Sequence, residues 1–145
     1  MSPHGPGFSG SSNHSHDAEY PDDTWNLYSM IDVEQLSALN VTRPEDAAGI
    51  FRPYTRRLND LPILTSNCDE EMIIHVPFRS PCHVRKLMFI GGGEEAQHPL
   101  QIKCYVNQDN INFGNIGDFR PAQEFSNLSV NNLGKSQYRR HHYSL

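Results

Sequence analysis

The sequence predicts an all-β fold, an antiparallel β-sandwich, and three observations carry that expectation. Leu100, Ile102, Cys104 and Val106 alternate with Gln101, Lys103, Tyr105 and Asn107, the period of a strand with one face inward and one face wet. Met72, Ile74, Val76 and Phe78 share one parity in an earlier run. Between such runs stand Pro77-Phe78-Arg79-Ser80-Pro81, Gly91-Gly92-Gly93 and Asn107-Gln108-Asp109-Asn110, which hold the residue types that turns require.

Taken from the N-terminus, residues 1–23 mix Gly, Ser, Pro, His and Asp with almost no large aliphatic side chain. Such a segment buries too little surface to offset the entropy of ordering, so a flexible arm is expected. Ordered structure is expected to begin near Trp25-Asn26-Leu27-Tyr28. Asp32 then precedes Val33, Leu36 and Leu39 at every third position, which predicts a short helix with Asp32 as N-cap, Gln35 in the reciprocal capping position and Asn40 as the stop. From residue 42 to 61 periodicity is lost. Pro44, Gly49, Pro53 and Pro62 punctuate the path while Arg52, Arg56 and Arg57 supply local positive charge, the pattern of a long surface connection. Residues 84–90 are apolar on both parities after Lys86, as in a more fully buried strand, and shorter candidates lie at 111–113 and 123–128.

Composition bounds the function. With 145 residues the chain has room for one ordinary core, and 12 Lys plus Arg against 17 Asp plus Glu leave a formal charge of -5. A chain of that sign repels phosphate backbones, which disfavours nucleic acid as a partner. Cys68, Cys82 and Cys104 are widely and irregularly spaced, without the pairs of a zinc site or a thioredoxin-type redox centre. Reduced thiols are the simplest reading. Neither an apolar leader nor a membrane-length apolar window is present, so the expectation is a soluble cytoplasmic protein, also nuclear in the wider reading, with no membrane partner. The acceptor patterns at Asn13, Asn40 and Asn127 then go unused, because glycosylation needs the secretory route.

The order of short motifs resembles the PITH domain, a module found alone or C-terminal to a thioredoxin domain. The resemblance starts at Leu27-Tyr28-Ser29-Met30-Ile31-Asp32 and passes through Leu39-Asn40 and Ile50-Phe51-Arg52-Pro53-Tyr54. It is strongest at Ser66-Asn67-Cys68-Asp69-Glu70-Glu71 and the following Met72-Ile73-Ile74-His75-Val76-Pro77-Phe78. Residues 84–90, Gln97-His98-Pro99, Ile102-Lys103-Cys104-Tyr105-Val106-Asn107, Asn112-Phe113 and Pro121-Ala122-Gln123-Glu124-Phe125 continue it in the family's order. Each match is short; the succession over roughly 27–128 is the specific feature.

The resemblance implies a jelly-roll-like, galactose-binding-like β-sandwich that serves as a non-enzymatic protein-interaction module, with the proteasome as the family's partner. It implies no cofactor, metal or catalytic residue. It also divides the chain into an arm at 1–23, a partial PITH domain at 24–130 and a divergent basic tail at 131–145. Family members carry further strands beyond the region of Pro121, so the expectation is an incomplete domain with an open edge. Its oligomeric state is left open by the sequence.

Within that frame Asp69, Glu70 and Glu71 are the candidate protein-binding residues, three carboxylates at the entrance to a strand. The competing reading is a solvated segment that discourages edge pairing; a hard cation would require more oxygen ligands to converge. His4, His14, His16 and the pair His141-His142 offer imidazoles without a defined coordination shell. His75 and His98 read as packing or loop residues, since no oriented partner is evident for a base. Gly91-Gly92-Gly93 is followed by Glu94-Glu95, which opposes an anion site, and Gly134-Lys135-Ser136 lacks the first glycine of a phosphate loop because Ser129 stands there. The segment 135–143, with its cations and tyrosines, reads as a solvated tail. The alternative function is a small-ligand or carbohydrate-binding β-sandwich, for which Trp25, Tyr54 and Tyr105 are the candidate stacking residues.

Overall fold

The computed structural model describes residues 26–57, 59, 61–91 and 97–128, together with the backbone of 141–144. Six short strands make up its regular structure: β1 (Ser37–Leu39), β2 (Ile73–His75), β3 (Lys86–Phe89), β4 (Ile102–Cys104), β5 (Gln123–Phe125) and β6 (His141–Ser144). They pair antiparallel as β1 with β2, β3 with β6 and β4 with β5, giving three two-stranded sheets among the described residues. Helical structure is confined there to 3-10 turns. The fold is therefore β-rich, as the alternating patterns predict.

The expected helix after Asp32 is absent. Gln35 N donates to Asp32 O at 3.2 Å, which closes one turn, and the chain then straightens into β1. The donors and acceptors around this turn are already committed across the chain. Asp32 N donates to Pro77 O at 2.9 Å, Arg79 N donates to Met30 O at 2.8 Å, and Ile31 bridges Phe78. A helix this short carries the full cost of nucleation with few bonds to offset it, so strand pairing wins over the capping signal. Asn40 is a stop nonetheless, with φ of 56° immediately after β1. Its short polar side chain makes that left-handed conformation accessible. The helical turn that does form is Leu27–Met30, where Asn26 Oδ1 accepts from Tyr28 N at 2.9 Å.

Residues 42–61 are more than a surface connection. Pro44–Asp46, Ala48–Ile50 and Tyr54–Arg56 are 3-10 turns, the first opened by Pro44 in the position where a missing N–H costs nothing. Ala47, between the first two turns, is 1% exposed, and among the described residues Val41, Ile31 and Ile111 are the other buried apolar side chains. The segment is stitched to the chain before β2: Thr42 N donates to Thr65 O at 2.9 Å, Asn67 N donates to Asn40 O at 3.0 Å, and Val41 bridges Ser66.

The strand patterns are met in part. In β4 Ile102 and Cys104 are half-buried while Lys103 is exposed, as alternation requires. The expected inward face stops there, since Leu100 is 63% and Val106 60% exposed. Asn107, at φ of 56°, turns the chain away just beyond the strand. Residues 72–78 are half-buried on both parities, so β2 has no wet face. The candidate strand at 111–113 is a turn, in which Asn115 Oδ1 accepts from Asn112 N at 2.8 Å and Asn112 Oδ1 accepts from Gly114 N at 2.8 Å. Asparagine side chains acting on nearby backbone replace the ladder there. The tail differs as well: the backbone of His141–Ser144 lies in register with Lys86–Phe89 instead of running free in solvent.

Candidate interaction site

The acidic segment is built by the end of β1. Asn40 reaches back to it with both ends of its amide. Its Nδ2 donates to Asp69 Oδ1 and to Glu71 O, each at 2.6 Å, and its Oδ1 accepts from Cys68 N at 3.1 Å. Asp69 Oδ1 also accepts from Glu71 N at 3.0 Å, and Thr42 Oγ1 donates to Ser66 O at 3.2 Å. The loop before β2 is thus fixed by side-chain-to-backbone bonds on the pattern that lets Asx residues replace a ladder.

The three carboxylates are consequently unequal. Asp69 uses one oxygen to hold its own loop and Asn40, whereas Glu70 and Glu71 are exposed and, among the described residues, no group partners their carboxylates. Asn40 is the member of this arrangement that sequence reasoning did not connect with Asp69. Its signal was present as an Asn after a strand-length run, yet it read as a helix stop.

The other candidates do not converge on one site. His4, His14, His16 and Trp25 lie outside the described residues, as do Gly92, Gly93, Glu94, Glu95, Ser129 and residues 134–136; of His141 and His142 only the backbone is described. His75 sits half-buried in β2, in register with Ser37. His98 is half-buried with its ring packed on Gly91, where an added Cβ would stand 2.8 Å from it. Tyr54 carries the Arg57 guanidinium 3.7 Å from its ring centroid, and Arg57 Nη1 donates to Tyr54 O at 2.7 Å, so that ring face is occupied. Tyr105 is half-buried. The three cysteines are free thiols, Cys68 exposed and the others half-buried, and burial pushes the Cys104 thiol above its ordinary pKa. Among the described residues, no group of three or more His, Cys, Asp and Glu side chains is placed to hold a metal ion. No helix among them is long and apolar enough to cross a membrane.

A β-rich domain of short paired strands, with an acidic loop locked in front of one of them, is the class of protein these features define. The PITH domain matches residues 17–144, and the chain belongs to that family. The match takes in all six strands, including the segment paired with β3. The chain is 28% identical over 114 residues to PITH domain-containing protein 1 of Homo sapiens, covering 79% of this chain and 53% of the relative. It is 32% identical over 116 residues to the protein of the same description from Dictyostelium discoideum, covering 79% and 56%. The relative from Schizosaccharomyces pombe, PITH domain-containing protein P35G2.02, is 29% identical over 106 residues, with 72% and 49% covered. The chain spans about half the length of the curated relatives it matches. No solved structure matches it.

Proposed function

We propose that this chain is a non-enzymatic protein-interaction module of the PITH family, built on a jelly-roll-like β-sandwich and directed to the proteasome in the cytoplasm and nucleus. The observation that carries the reading is the locked acidic loop. Asn40 and Asp69 hold the segment so that Glu70 and Glu71 are displayed from fixed backbone. A preformed loop loses less backbone entropy on association than a mobile one, and the charges it displays contribute register and encounter rate more than bulk affinity. Asp69 joins the interface as the residue that shapes it.

The test is recovery of proteasomes from lysate on the immobilised chain. Glu70→Gln with Glu71→Gln removes the displayed charges and leaves the loop bonds in place, so recovery is expected to fall about tenfold, the scale of losing charged interface contacts. Undiminished recovery by a folded double variant removes those side chains from the interface. Absence of recovery by the unaltered folded chain removes the partner.

A further inference from the structure

Ser80 stands on the connection from β2 to β3, where the chain has left one set of backbone bonds and has not yet entered the next. Phe78 bridges Ile31 and Arg79 N donates to Met30 O at 2.8 Å, whereas β3 begins only at Lys86. Among the described residues, neither Ser80 nor Pro81 takes part in a backbone-to-backbone hydrogen bond, and no group bonds the Ser80 hydroxyl. Arg79, Ser80 and Pro81 are all exposed. Ser126 and Thr42 contrast with it: Ser126 Oγ donates to Glu124 Oε1 at 3.3 Å, and Thr42 Oγ1 donates to Ser66 O at 3.2 Å. We infer that Ser80 is a phosphorylation site, modified with ATP by a kinase that selects proline after its acceptor, and that the exposed arginines of the same connection receive the new charge.

Pro81 supplies both conformation and selectivity. Its ring drives the preceding residue out of the helical region and toward extended backbone, the form in which a kinase groove takes its substrate. Pro81 also has no N–H. A groove that offers no acceptor after the phosphorylated residue therefore takes proline and penalises any other residue, whose N–H it would strand. In the transfer, Ser80 Oγ forms a bond to the γ-phosphorus of ATP and the bond from that phosphorus to its bridging oxygen breaks. ADP leaves with the electron pair, and the hydroxyl proton passes to the base of the kinase.

The surroundings suit the product. Residues 72–91 include Arg79, Arg85 and Lys86 and no carboxylate side chain, in a chain of net charge -5. Arg79 adjoins Ser80 and Arg85 follows on the same connection. Both are exposed, and among the described residues no ion pair engages either. A phosphoserine adds a charge of about −1.5 to −2 and three acceptor oxygens, which arginine meets with charge-assisted hydrogen bonds.

The experiment incubates the full, folded chain with a purified proline-directed kinase and Mg-ATP and follows the product by intact mass and peptide mapping. Modification at Ser80 is expected, with Ser80→Ala abolishing it and Pro81→Ala slowing it about tenfold through lost discrimination in the groove. The thermal midpoint of the phosphorylated chain is expected to rise. That rise should shrink with added salt and be smaller in Arg79→Gln and Arg85→Gln, since it is driven by charge. No incorporation, incorporation that persists in Ser80→Ala, or an undiminished rate with Pro81→Ala overturns the site. A midpoint that falls, or a rise indifferent to salt and to both arginine substitutions, overturns the part assigned to the cations.

Discussion

Asn40 and Asp69, 29 positions apart in the sequence, are joined by a 2.6 Å hydrogen bond that fastens the end of β1 to the loop before β2. Asn40 does this from a backbone with φ of 56°. Two costs meet at that position when the residue is changed. Asn40→Ala forfeits the amide bonds and forces a Cβ without a compensating polar group into the left-handed region, an expected loss of about 2 kcal/mol. Asn40→Gly forfeits the bonds but accepts the backbone, an expected loss of about 1 kcal/mol. Urea unfolding of the two variants checks the order; a Gly variant weaker than the Ala variant contradicts the backbone part of the account.

Gly49 is needed for a different reason, close approach. A Cβ built on it stands 2.5 Å from Pro62 Cγ and 3.1 Å from Cδ. The pyrrolidine ring has no far end to swing away, and its carbonyl is held by Arg52. Gly49→Ala is expected to lower stability by about 1–3 kcal/mol, the range for overpacking. Gly117→Ala is the control, with nothing within 4 Å of its added Cβ. It is expected to be neutral or to stabilise by about 0.5 kcal/mol through the unfolded chain. Parallel thermal unfolding curves check the contrast, and equal shifts for both glycines refute it.

How much of this was legible in one sequence depends on the range of the contact involved. The alternation through Ile102, Lys103 and Cys104 is local and it survives in β4. Leu100 and Val106 continue the same alternation and are exposed, because a period tells which residues share a face and says nothing about where the strand ends. Val33, Leu36 and Leu39 show helical spacing, but Pro77 and β2 capture the backbone before and after the turn at Asp32. The acidic site was visible as Asp69, Glu70 and Glu71. Its division into one structural and two displayed carboxylates was not, since the deciding residue, Asn40, is distant in the chain. Ala47 was missed because three-residue turns leave no apolar stripe to read.

The thiols should react in an order set by exposure and ionisation. Cys68 is exposed, whereas Cys104 is half-buried on β4 and burial holds its thiol above the ordinary range, so less thiolate is present at mildly alkaline pH. Because the thiolate is the nucleophile, Cys68 is expected to be alkylated first and Cys104 well after it. Iodoacetamide labelling followed by peptide mass analysis measures the order. Urea should bring the rates of the two sites together; a difference that persists in urea contradicts burial as its source.

Glu45 provides the pH dependence whose sign is fixed by the structure. Its carboxylate is held below its ordinary pKa first by its own backbone N–H and then by the Arg43 side chain, whose Nε lies 3.2 Å away. A carboxylate depressed in the folded state binds protons more weakly there than in the unfolded chain. Its contribution is therefore present above the ordinary carboxylate value and is lost as pH falls through the lower, folded value. Glu45→Gln should differ from the unaltered chain at neutral pH and converge with it in acid. The group is fully exposed, so the difference should also shrink with added salt. Arg43→Met tests which cause dominates. The backbone bond is the larger one and survives that substitution, so most of the acid-side dependence should remain; its complete loss would transfer the effect to Arg43. Acid titration of the unfolding midpoint for the three proteins, at low and high ionic strength, makes the comparison.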